Sequence, residues 1–95
     1  MDRANQIDAI EHITKDLSRI GNSIWLKHGD ELRVMKGLSG GEQRLHDICH
    51  SIWNGEIKVD LFDMISALDD PHFANVVRGL LIARHGLTAI KPKNE

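Results

Sequence analysis

Residues 39–55 read Ser39-Gly40-Gly41-Glu42-Gln43-Arg44-Leu45-His46-Asp47-Ile48-Cys49-His50-Ser51-Ile52-Trp53-Asn54-Gly55. Leu45, Ile48, Cys49 and Ile52 fall at i, i+3, i+4 and i+7, one face of an α-helix. Ser39 or Gly40 opens that helix, and Asn54-Gly55 stops it. Downstream, Glu56-Ile57-Lys58-Val59 alternates but is too short to build a sheet alone. Asp60 then caps a short helix whose apolar face is Leu61, Met64, Ile65 and Leu68. Asp69-Asp70-Pro71 restarts the chain, with Asp70 as cap and Pro71 at the first helical position, where no donor is needed. Phe73, Val76, Val77, Leu80 and Leu81 supply the buried stripe of this last helix. It stops at Arg84-His85-Gly86, and Leu87 offers the hydrophobic contact that follows such a cap.

Upstream, Ile7, Ile10, Ile13, Leu17, Ile20 and Ile24 step by three and four. This spacing predicts one long amphipathic helix ending at Lys27-His28-Gly29, with Glu11 and Lys15 as a favourable pair. Asp30 to Gly41 reads as a connection. The expected fold is all-α: a four-helix domain with one long N-terminal amphipathic helix and three shorter ones. Residues 1–87 form a single domain, and 88–95 a flexible tail.

The chain has 95 residues, 41% of them apolar and 27% charged, an ordinary globular balance. No apolar run approaches the length of a membrane-spanning helix. Met1 to Gln6 lacks the apolar core of a signal peptide, so a cytoplasmic location is expected. One cysteine, Cys49, excludes an intrachain disulfide framework and a multi-cysteine zinc site. The net charge of −2 gives no basic footprint for nucleic acid. Its distribution is uneven. Residues 37–70 hold Arg44 and Lys58 against seven acidic residues, whereas 71–95 hold four basic residues against Glu95. Such asymmetry can orient self-association or steer a charged partner.

Several motifs resemble chemistry. Leu38-Ser39-Gly40-Gly41-Glu42-Gln43, followed by Arg44, resembles the signature sequence of ABC-type ATPases. That chemistry needs a phosphate-cradling loop and an acidic strand end, and neither is present. The expectation is a glycine-rich helix start that binds no nucleotide, with at most a weak anion site on its amides. His46 and His50, four apart, share a helix face and supply half a zinc shell. They carry a metal-binding alternative, set against two boundary histidines beside a core stripe. Cys49 lies between Ile48 and Ile52 and reads as a small buried hydrophobe rather than a nucleophile. The last two helices mimic a helix-turn-helix with Asn75, Arg78 and Arg84 on the second. The acidic surroundings and the absent turn glycine argue against DNA reading.

A broader resemblance lies in Leu38-Ser39-Gly40-Gly41, the helix end Ser51-Ile52-Trp53-Asn54-Gly55, Val59-Asp60-Leu61, and Ala67-Leu68-Asp69-Asp70 with Phe73. Over about residues 38–80 these resemble a family of small uncharacterised bacterial proteins of plasmids, prophages and other mobile elements. The resemblance implies an accessory role and transfers no chemistry to any residue.

No reaction centre assembles from these residues, so the expected function is a non-enzymatic interaction or regulatory protein. A small DNA-binding regulator and a metal-binding protein using His46 and His50 are the alternatives. No cofactor, nucleotide, membrane or nucleic-acid partner is expected; the partners are an unknown protein and a second copy of the chain. Ile10, Ile13, Leu17, Ile20 and Ile24 form an apolar seam with a/d spacing. A helix of about 25 residues runs roughly 37 Å, longer than a core this small covers. The seam is therefore expected to form a homodimer interface, with Trp53 as a further anchor. The alternative is a monomer in which residues 42–84 wrap the seam.

Overall fold

The computed structural model describes residues 2–15, 25–26, 31–32 and 40–90. Their elements are α1 (Arg3–Thr14), β1 (Trp25–Leu26), β2 (Glu31–Leu32), α2 (Gly40–Asn54), α3 (Leu61–Ala67), α4 (Asp70–His85) and a 3-10 turn (Leu87–Ile90). The fold is all-α. The β1–β2 ladder is antiparallel, with Trp25 opposite Leu32 and Leu26 opposite Glu31, and two residues per strand make no sheet layer. Among the described residues, no helix is long and apolar enough to cross a membrane.

The long first helix is corrected. α1 has 12 residues, and Trp25–Leu26 is extended where the periodicity placed helix. The apolar spacing continues to Ile24, but Gly21 and Asn22 interrupt it with poor helix formers, and Ile24-Trp25 favours strand. Leu17, Ile20 and Ile24 lie outside the described residues.

α1 starts where Asp2 accepts from the amides of Ala4 at 2.8 Å and Asn5 at 3.4 Å. It packs most closely on α4 and next on α2. The core is Ala9, Ile10 and Ile13 from α1; Leu45, Ile48, Cys49, Ile52 and Trp53 from α2; Met64 from α3; and Val76, Ile82 and Ala83 from α4. The α2 stripe is buried as its spacing predicts. The helix stops at Gly55, which takes φ +72° and donates its amide to Ser51 O at 2.9 Å. Side chains of α1 complete that terminus. Gln6 Nε2 donates to the carbonyls of Ile52 at 2.8 Å and Trp53 at 3.0 Å, and Arg3 Nη1 donates to Trp53 O at 3.1 Å. Carbonyls that no later helical amide reaches are thereby satisfied, and the guanidinium meets the negative end of the helix.

α3 starts as expected, with Asp60 accepting from the Asp63 amide at 3.2 Å. At α4 the boundary shifts by one. Asp69 is the cap residue, Asp70 is already helical, and the Asp69 carboxylate bonds His72 Nδ1 at 2.7 Å instead of a backbone amide. Beyond Gly86 the 3-10 turn carries Ile90, partly buried, onto the core.

The stripe assigned to α4 is also corrected. Its buried residues are Asn75, Val76, Gly79, Ile82 and Ala83. Gly79 sets this rotation: it admits Ile13 of α1 so closely that no Cβ fits between them. Val77, Leu80 and Leu81 are turned outward.

Candidate functional site

Most of the residues that resemble chemistry serve the structure, although His50 Nδ1 is buried without a hydrogen-bond partner. Cys49 is fully buried, and burial pushes its thiol up from 9.0 to about 12. At neutral pH it carries no thiolate and is no nucleophile. His46 is buried, with Nδ1 3.3 Å from Asp47 Oδ1, so Asp47 does reach it although the two are adjacent in sequence. The rings of His46 and His50 meet edge to face, with centroids 6.0 Å apart. Among the described residues, no group of three or more His, Cys, Asp or Glu side chains converges on a point.

The ABC-like segment enters α2 at Gly40. Gln43 bonds Asp47 at 2.8 Å, and Arg44 Nε pairs with Asp63 Oδ2 at 2.9 Å, tying α2 to α3. A shallow cleft beside this helix start is lined by Gly41, Glu42, Leu45, Ala67, Leu68, Asp69 and His72. Two carboxylates on its wall oppose an anion at those amides. In α4, Asn75 is buried and accepts from Arg78 Nη1 at 3.2 Å. It has no edge to offer a base.

Of the interface residues expected from the sequence, Ile10, Ile13 and Trp53 are buried within the chain, and Leu17, Ile20 and Ile24 lie outside the described residues. Ile10 and Ile13 are fully buried against α4 and α2, and Trp53 is 8% exposed beneath the Arg3 guanidinium, 3.5 Å from its ring centroid. Their surface is consumed by the protein's own core. For those three the reason lies in the packing of α1 and α2: the 12 residues of α1 lie over α4 and α2.

Apolar surface is exposed elsewhere. On α3, Phe62 is 80% exposed, Leu61 63% and Ile65 58%. On α4, Val77, Leu80 and Leu81 are each 41–46% exposed. Val59 before α3 and Leu87 after α4 are exposed as well. Only Met64 of α3 is buried, so the expected core face of that helix is largely reversed. The signal was present in the sequence. From Phe73 to Ala83 the chain is apolar on two sides, more than a helix with one buried face requires.

No family model, no curated protein and no solved structure matches this chain.

Proposed function

We propose that this chain is a non-enzymatic protein-interaction module that docks through the exposed apolar face of α3 and α4. The observation that carries this reading is Phe62, 80% exposed between Leu61 and Ile65. Soluble chains seldom leave adjoining large apolar side chains in water unless a partner covers them. The occupied state of the other polar groups supports the same reading: Arg44, Asp47, Asp69 and Asn75 all serve the fold. Within this proposal the protein is a cytoplasmic accessory factor of mobile-element type, without a nucleotide, metal or nucleic-acid ligand.

A photo-activated side chain at position 62 tests it, with the same probe at Lys15, an exposed position at the end of α1, as control. The expected result is a discrete protein adduct from position 62 in the host cell and none from 15. Equal, diffuse labelling from both positions would reject the docking face.

A further inference from the structure

We infer that the occupant of the α3–α4 face is a second copy of this chain, docked about a two-fold axis so that α3 of each protomer lies on α4 of the other. The inference rests on the docking reading above and names its partner. The two exposed stripes lie in segments of opposite net charge. Residues 56–70, which contain α3, its flanks and the first residue of α4, hold Glu56, Asp60, Asp63, Asp69 and Asp70 against Lys58, and pairing of Asp63 with Arg44 of α2 still leaves an acidic excess. Residues 71–90, which contain the body of α4 and its 3-10 extension, hold Arg78 and Arg84 and no acidic residue. Arg84 is exposed and follows Leu80 and Leu81 by four and three positions, so it shares their face.

Docking α3 on the partner's α4 therefore sets an acidic segment against a basic one. Pairing α3 with α3 would set carboxylates against carboxylates. The chain carries both halves of the contact, and a two-fold axis makes that contact twice. This is the symmetry available to a surface that is complementary to itself.

The test mixes two exposed-site variants, Phe62→Asp and Leu80→Asp, after circular dichroism has established that each keeps wild-type helicity. Light scattering on a sizing column at micromolar concentration reads the mass. Wild type is expected at twice the chain mass and each variant alone at the chain mass, because each breaks both contacts of its own homodimer. An equimolar mixture is expected to form a heterodimer at least tenfold tighter than either variant with itself. In that heterodimer both lesions fall in one contact and the other contact is intact. A monomeric wild type, a dimeric variant, or a mixture no heavier than its components would overturn the inference. A monomeric wild type whose position-62 probe still captures a different protein overturns self-docking alone. No adduct at all overturns the docking reading as well.

Discussion

A Cβ placed on Gly79 would lie 2.5 Å from Ile13 Cγ1 and 3.4 Å from the Ala9 carbonyl oxygen. The missing side chain therefore sets the distance between α1 and α4 and decides which face of α4 turns inward. Gly79→Val should destabilise the protein by about 2 kcal/mol or more, since a branched side chain there forces Ile13 off its position. Chemical denaturation checks this, and an unchanged midpoint would place the α1–α4 contact elsewhere. Cys49 gives a second residue-scale expectation. Its folded pKa of about 12 exceeds the usual 9.0, so the unfolded chain loses this proton first. The neutral thiol leaves stability unaffected below about pH 9, and stability falls as pH rises from about 9 towards about 12. Cys49→Ala should flatten that alkaline decline relative to wild type in parallel denaturation series. Identical slopes would mean that the thiol is solvated.

The two acidic caps separate cleanly at the scale of elements. Asp60 accepts a bond from the third residue of α3, whereas Asp69 spends its carboxylate on His72. Asp60→Ala should cost about 1 kcal/mol, the ordinary worth of a cap, and Asp69→Ala less. Thermal melts of the pair check the order, and the reverse order would contradict the cap assignment. Caps of this kind made the elements from 40 to 86 readable in advance. The Asn54-Gly55 stop, the Asp60 start and the Gly86 stop depend only on neighbours in sequence. Faces were harder to read. The spacing of Val76, Val77, Leu80 and Leu81 fits a buried stripe, but the identity of the buried face depends on Gly79 meeting Ile13, 66 positions away in sequence. The same limit hid the short α1. Ile7 to Ile24 keeps helical periodicity, yet periodicity does not record that residues 25 and 26 pair with 31 and 32.

For the whole molecule, Ile10, Ile13 and Trp53 hold one chain together, whereas Phe62, Leu80 and Leu81 are exposed, and the proposed docking surface is on the last two helices. The acidic segment 56–70 and the basic segment 71–90 follow each other along the chain, so a net charge of only −2 arises from an uneven distribution. The most direct measurement is the light-scattering mass of Phe62→Asp beside wild type at equal micromolar concentration. Phe62 is 80% exposed and lies outside the buried core cluster, so its substitution reports on association rather than folding. A dimeric wild type and a folded, monomeric Phe62→Asp protein is the expected result. Equal masses for the two would contradict it.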